Sequence, residues 1–179
     1  IKYLKILDKV ELVDGDRKIQ ISPKDSFEVD FELSYKNKII GNQRNSIDFQ
    51  RDELKEIEES RTFCLYEDIK KIKEMGLAKG GTLDNAIVVD ENKVINSDGL
   101  RNDKEFVNHK ILDLAGDFLL SGYKILGKVY CYQGGHQLTN LFLHKLLKSK
   151  NKFKPFTFEG KIVKENKTLS QNYKLAVSA

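Results

Sequence analysis

Asn102-Asp-Lys-Glu105-Phe-Val107-Asn-His109-Lys110-Ile111-Leu-Asp113-Leu114-Ala-Gly-Asp117-Phe118 is the stretch that sets the architecture of this chain. Val107, Ile111, Leu114 and Phe118 recur with the 3.6-residue period of one buried helix face. The spacing predicts a helix from about Asp103 to Ser121, with Asn102 and Glu105 as its opening capping pair. His109, Asp113 and Asp117 lie off the apolar face at i, i+4 and i+8. Residues four apart on a helix are surface neighbours, so these three form a polar stripe, and Lys110 stands beside it.

Upstream of this helix the pattern changes period. Tyr3 to Leu7, Val10 to Val13 and Lys18 to Ser22 are rich in β-formers, with Asp14-Gly15-Asp16 as a turn. Phe27-Glu-Val-Asp-Phe-Glu-Leu33 alternates apolar and polar residues, the pattern of a strand with one face buried. A turn over Tyr35 to Lys38 leads to a further strand ending near Phe49, and Asp52 to Ile57 reads as a short amphipathic helix. Thr62 to Leu65 is extended, Glu67 to Met75 is helical and stops at Gly76, and Ala86 to Val89 is a buried strand. Together they make a small βαβ insert over about 62–90. Downstream, Ile125 to Tyr132 is a strand, and Leu138, Leu141, Phe142 and Leu146 mark a last core-facing helix. Phe153, Phe156 and Phe158 are expected to anchor a loosely patterned tail. Strands followed by segregated helices indicate an α+β fold: a two-layer sandwich whose mixed or antiparallel sheet is covered on one face by two main helices.

The 179 residues suit one domain with a real core, and 40% hydrophobic against 32% charged residues is ordinary for a soluble globule. The net charge of +4 is spread along the chain, so no basic stripe points to nucleic acid. No apolar run reaches the roughly 20 residues of a membrane span. Neither a signal peptide nor a CxxC pattern is visible, and Cys64 and Cys131 are too few for a disulfide scaffold, which points to the cytoplasm. Residue 1 is Ile and the single methionine is Met75, so the chain is expected to be a piece of a longer polypeptide.

Several of these residues have chemistry of their own. His109 and Asp113 can converge on one point, as two ligands of a catalytic zinc on one helix do; an unrelated acid one turn after a histidine is the commoner explanation of such a pair. No third ligand presents itself in the chain: His144 sits among lysines, and each cysteine stands alone on a strand as a small hydrophobe. His136 follows Gly134-Gly135 at a strand-to-helix turn. It is either a polar helix-start residue or, if Asp117 holds it, an oriented imidazole that can protonate a leaving group or stabilise an oxyanion. Lys110 can meet an anion, Thr62 can donate a hydroxyl, and Gly80-Gly81 has neither the Walker nor the dinucleotide spacing. These residues by themselves describe an α+β chain with part of a metal site.

Taken in order, Ser60-Arg-Thr-Phe63, Gly80-Gly81, Asn85-Ala-Ile-Val-Val-Asp90, Asp98-Gly-Leu-Arg101, Glu105 to Asp117 and Gly135-His136 resemble the C-terminal half of the zinc-dependent UDP-3-O-acyl-N-acetylglucosamine deacetylases. The resemblance runs from near Ile1 to the tail. It implies that residues 1–179 are the second domain of a two-domain cytoplasmic hydrolase in lipid A biosynthesis of Gram-negative bacteria. It also implies that Zn2+ is the cofactor and that a UDP-linked acylated amino sugar is the substrate. By resemblance His109 and Asp113 are two of three zinc ligands; the third, a histidine, and a glutamate base belong to the N-terminal domain, so the isolated chain is expected to be inactive. Asp117 and His136 match the assisting carboxylate–histidine pair, Thr62 a threonine near the oxyanion, and Lys110 a substrate-facing lysine. Phe63, Ile69, Gly81, Ala86 and Val88 match the lining of an acyl-chain passage built by the insert, and Tyr35 an aromatic that stacks on uracil. Gln133 departs from the family pattern, where a lysine meets the diphosphate, so that contact falls to another cation. A non-catalytic acyl or nucleotide-sugar binding module is the competing reading.

Overall fold

The computed structural model describes residues 1–76, 79–158 and 175–176. Its organising strand is β8 (Lys124–Tyr132), which changes partners partway along. Lys124 to Leu126 run parallel to β1 (Lys2–Ile6). Gly127 to Tyr132 run parallel to β4 (Phe27–Ser34), while Lys128 to Tyr132 also pair antiparallel with β3 (Arg17–Ser22). β2 (Val10–Asp14) extends the sheet from β3, and β5 (Asn42–Asp48) from β4. Gly127, at the change of partner, has no space for a side chain: a Cβ there would come within 2.8 Å of Ile6 and 3.0 Å of Ile21. The sheet is therefore mixed. It contains both hairpin pairs and the parallel pairs that need crossovers.

One face of the sheet is covered by α3 (Glu105–Leu119) and α4 (His136–Lys148). Val107, Ile111, Leu114 and Phe118 of α3 and Leu138, Phe142 and Leu146 of α4 are all buried, against Ile19, Ile21, Val29, Phe31, Leu33 and Val129 of the sheet. The Phe118 and Phe142 rings stack at 6.1 Å where the two helices meet. Along β4 the alternation holds as expected, except that Asp30 is also buried. Arg44 on β5 folds over it and donates to both carboxylate oxygens, at 2.9 and 2.8 Å, which compensates the burial. The insert is a separate two-stranded parallel sheet of β6 (Thr62–Leu65) and β7 (Ala86–Val89), with α2 (Ile69–Glu74) in its crossover. A short helix, α1 (Lys55–Glu58), precedes it and packs on α3.

Five sequence expectations are corrected. The helix over Asp52 to Ile57 forms only as Lys55–Glu58, and that over Glu67 to Met75 begins as a 3-10 turn, Tyr66–Asp68. The tail is not loose at its start: β9 (Phe153–Phe158) pairs antiparallel with β1, and β10 (Leu175–Ala176) pairs with β9. Phe156 stacks on Tyr3 at 5.3 Å; the Phe158 side chain and residues 159–174 and 177–179 lie outside the described residues. Leu141 is on the outer side of α4 and 49% exposed, because the buried face of the helix runs through Leu138, Thr139, Phe142, Leu143 and Leu146.

The fifth lies at the start of α3. No capping box forms: Asn102 Oδ1 accepts the Lys104 N–H at 3.1 Å, and the helix starts at the next residue, Glu105. Glu105, fully buried, turns its carboxylate to Arg61, which donates through Nε at 2.9 Å and through its backbone N–H at 3.1 Å, and to the Arg101 N–H at 2.6 Å. The rest of the Arg61 guanidinium meets Asp98 at 2.9 Å and the Gly99 carbonyl at 2.7 Å. Burial by itself would raise the Glu105 carboxyl pKa; the Arg61 and backbone N–H donors outweigh it and hold the carboxyl below its ordinary value.

Two stability predictions follow from these contacts. Glu105→Gln should destabilise the chain by on the order of 3 kcal/mol near neutral pH in urea unfolding. Because the native carboxyl titrates low, its contribution is present above the unfolded value of about 4.3 and fades as pH falls through the native one. The gap between variant and wild type should therefore shrink in acid, and a pH-independent gap would contradict this account. Separately, a Cβ at Gly134 would lie 2.2 Å from the Cys131 Sγ. Gly134→Ala should cost about 1–3 kcal/mol, and adding Cys131→Ala should recover part of that loss; a purely additive pair would show that sulfur is not the obstacle.

Candidate functional site

The polar stripe of α3 faces the turn that opens α4 and the strand that opens the insert. His109 is oriented from the far side: its Nδ1–H donates to the carbonyl oxygen of Ser60 at 3.1 Å. Ser60 directly precedes Arg61, so the buried Arg61–Glu105 pair also fixes the carbonyl that orients this ring. With Nδ1 committed as donor, Nε2 carries the lone pair, and it points at Asp113 Oδ1, 3.3 Å away. A lone pair and a carboxylate oxygen repel at that distance unless a proton or a metal cation lies between them.

The donor set and spacing fit zinc. With bonds of about 2.0–2.1 Å, a tetrahedral zinc has donor–donor edges of about 3.3–3.4 Å, and the Nε2–Oδ1 separation is one such edge. A backbone carbonyl behind the histidine is the usual outer partner of a metal-ligating imidazole. The pair is nevertheless only an edge: among the described residues no group of three or more His, Cys, Asp or Glu is arranged to hold a metal ion. His144 is exposed on α4, away from the stripe. Cys131 is buried, and burial pushes its thiol up to about 12, which makes it a poor ligand and a poor nucleophile. Cys64 is half-buried, not fully buried as expected for a strand cysteine, because it borders the cavity described below.

His136 is the first residue of α4, and its ring meets Asp117: Nδ1–H donates to the carboxylate, with the oxygens at 2.9 and 3.0 Å. This leaves Nε2 directed at the same region as the His109–Asp113 edge, 3.9 Å from Asp113 Oδ2. The Gly134-Gly135 turn permits this approach, since Gly135 is the extended residue before the helix and Gly134 sits where a side chain would strike Cys131. Lys110 also reaches Asp113 Oδ2, at 3.7 Å, and its ammonium lies 5.5 Å from the centre of the Phe63 ring. The structure thus brings His109, Lys110, Asp113, Asp117 and His136 to one place.

Thr62 is exposed at the start of β6, two residues beyond the carbonyl that holds His109. It stands on the rim of a cavity of about 750 Å³ between the two insert strands and α2. Phe63, Ile69, Gly81, Ala86 and Val88 all line that cavity, joined by Ile72 and Leu83. Its walls are dominated by apolar carbon, as an alkyl chain requires. Tyr35 lies elsewhere: its ring meets Phe63 edge-on at 5.8 Å and borders a smaller hollow of about 230 Å³, together with Arg17, Lys110 and Gln133. Burial raises the Tyr35 phenol pKa, so it stays neutral there. An apolar hollow of about 460 Å³ beside α1 contains none of these residues.

Arg17, Ser60, Arg61 and Glu105 are the site-related residues that sequence reasoning missed. Arg17 follows a hairpin turn, where a basic side chain reads as solvated. Glu105 reads as the capping partner of Asn102, Arg61 has no reading beyond its place in the Ser60–Phe63 segment, and Ser60 contributes only a carbonyl that any residue carries.

Comparison with known proteins bears on the same segments. The family model described as UDP-3-O-acyl N-acetylglycosamine deacetylase matches residues 1–148. The chain is 41% identical over 161 residues to the UDP-3-O-acyl-N-acetylglucosamine deacetylase of Idiomarina loihiensis, covering 88% of this chain and 53% of that protein. It is 41% identical over 147 residues to the protein of the same name from Nitratiruptor sp., covering 82% of this chain and 49% of that one. With the Campylobacter fetus protein of that name the identity is 36% over 165 residues, 92% of this chain and 56% of the other. The chain spans about half the length of the curated relatives it matches. The chain belongs to the UDP-3-O-acyl-N-acetylglucosamine deacetylase family.

Proposed function

We propose that this chain is the second domain of a zinc-dependent deacetylase that removes the N-acetyl group from a UDP-linked 3-O-acylated amino sugar in lipid A biosynthesis. The observation that carries the reading is the convergence of the His109–Asp113 edge and the His136–Asp117 pair beside an apolar cavity of about 750 Å³. The reaction class is amide hydrolysis, with the acyl chain in the cavity and the nucleotide at the Tyr35 hollow. Lys110, between the two, faces the anionic part of the substrate. The family resemblance supports a cytoplasmic enzyme without stable membrane insertion; no helix of the described residues is long and apolar enough to cross a membrane.

His109 and Asp113 would hold the zinc, which when bound supplies Lewis acidity toward the acetamide carbonyl and an activated water. Asp117 accepts the His136 Nδ1–H and so orients the ring; when Nε2 carries a proton, its N–H can stabilise the developing oxyanion and protonate the leaving amine. The Thr62 hydroxyl adds a neutral donor at the rim of the passage. The third ligand and the glutamate that takes the proton from water come, in this reading, from an N-terminal domain on the same polypeptide, and the isolated chain is inactive. The absence of a three-donor group among the described residues also favours a second reading, a non-catalytic acyl or nucleotide-sugar binding module. A helix-borne Glu-His pair in a preceding domain would decide for the enzyme.

The test is deacetylation and zinc content of the full-length polypeptide. His109→Ala should lose zinc and turnover together. His136→Ala should keep zinc and lose about 10²–10³ in kcat, the range of one oxyanion donor or general acid. Asp117→Asn should fall in between, with zinc retained. A His109→Ala protein that keeps its zinc and its rate would overturn the proposal.

A further inference from the structure

Gln133 is where β8 ends and the turn into α4 begins, yet both its backbone and its side chain stay joined to β4. Its N–H donates to the Glu32 carbonyl at 3.0 Å. Two residues further along β4, the side chain repeats the pattern: Oε1 accepts the Ser34 N–H at 2.9 Å, and Nε2 donates to the Ser34 carbonyl. A primary amide has a peptide-like donor and acceptor, so the side chain stands in for the strand residue that the turn takes away. Among the described residues Gln133 is also the one non-glycine residue with positive φ, at 54°. A residue of this kind holds that conformation only when its surroundings over-determine it.

Ser34 is the root of the loop that carries Tyr35. That loop is closed by Tyr35 N–H to the Gly41 carbonyl at 3.0 Å and by Gly41 N–H to the Asn37 carbonyl at 2.8 Å. Its other side is tied to the end of the insert by Asn37 Nδ2–H to the Asp90 carbonyl at 3.1 Å. The loop is thus fastened at its root to the turn bearing His136 and at its tip to the strand lining the acyl cavity. The amide of Gln133 has its oxygen and one of its two N–H groups engaged on Ser34, and Arg17 and Lys110 are the cations bordering the hollow.

We propose that Gln133 is a positioning residue: it clamps the root of this loop and so holds Tyr35 at the nucleotide hollow, without contacting the diphosphate itself. The identity of the ligand rests on the deacetylase reading. The clamp does not depend on it.

The experiment uses the full-length protein and four variants: Gln133→Met, Gln133→Lys, Tyr35→Ala and the Gln133→Met/Tyr35→Ala double. It measures UDP affinity by calorimetry, KM and kcat for the UDP-linked substrate, and amide hydrogen exchange at Ser34 and Tyr35. Gln133→Met should raise KM and the UDP Kd about ten-fold with kcat within about two-fold, and should speed exchange at Ser34. Gln133→Lys should weaken UDP binding as well, because an ammonium has no acceptor for the Ser34 N–H. The double variant should bind no worse than Tyr35→Ala, since Gln133 acts through that ring. Tighter UDP binding by Gln133→Lys, unchanged exchange at Ser34, or additive losses in the double variant would overturn the clamp. A wild-type protein that neither binds UDP nor turns over would overturn the functional reading, and Ser34 exchange would still decide the clamp.

Discussion

The buried pair of Arg61 and Glu105 is the joint on which the rest of the molecule is assembled. Two charges taken out of water are costly unless nearly every donor and acceptor is used. Here the carboxylate has both oxygens occupied by Arg61 and the Arg101 N–H, and the guanidinium also holds Asp98 and the Gly99 carbonyl. One contact thereby sets the start of α3, the strand that opens the insert and the turn between them. The Ser60 carbonyl, adjoining Arg61 in the chain, then fixes the His109 ring, and His109 Nε2 meets Asp113 Oδ1. The chemistry of the site is therefore set from behind, by a polar network in the core that touches no reacting atom.

The layers outside that joint follow simpler rules. The helix face of Val107, Ile111, Leu114 and Phe118 and the alternation along β4 were legible because period alone sets which side is buried. The polar stripe was legible for the same reason: His109, Asp113 and Asp117 share a face by spacing, and His136 reaches it because two glycines precede it. What could not be read were contacts between residues far apart in the chain. Glu105 sits at a position that suits a capping box, yet its partner is 44 residues upstream. The strand Phe153–Phe158 has a proline and a lysine in it, which mask its pairing with β1. Gln133 reads as a lost cation when compared with family members, whereas its side chain is engaged by a backbone that only the fold brings near.

Two kinds of constraint meet at the turn from β8 to α4. Gly134 is forced by the Cys131 sulfur beneath it, and Gln133 by the end of β4 alongside it. His136 follows within three residues, so the direction of its ring inherits the rigidity of both. A side chain at a helix start is better placed when the residues before it have little freedom. The insert adds the third element, a cavity whose rim begins at Thr62 and whose wall shares Phe63 with the aromatic contact to Tyr35 and the cation contact of Lys110.

The central claim is that His109 and Asp113 form one edge of a metal site that is completed by a donor outside residues 1–179. The direct measurement is zinc affinity, by competition with a chelator, for this chain and for the full-length polypeptide side by side. The account predicts one tightly held zinc per full-length chain and binding more than about a hundred-fold weaker for residues 1–179 alone. Equal affinity in the two would contradict it, because the edge would then need no partner.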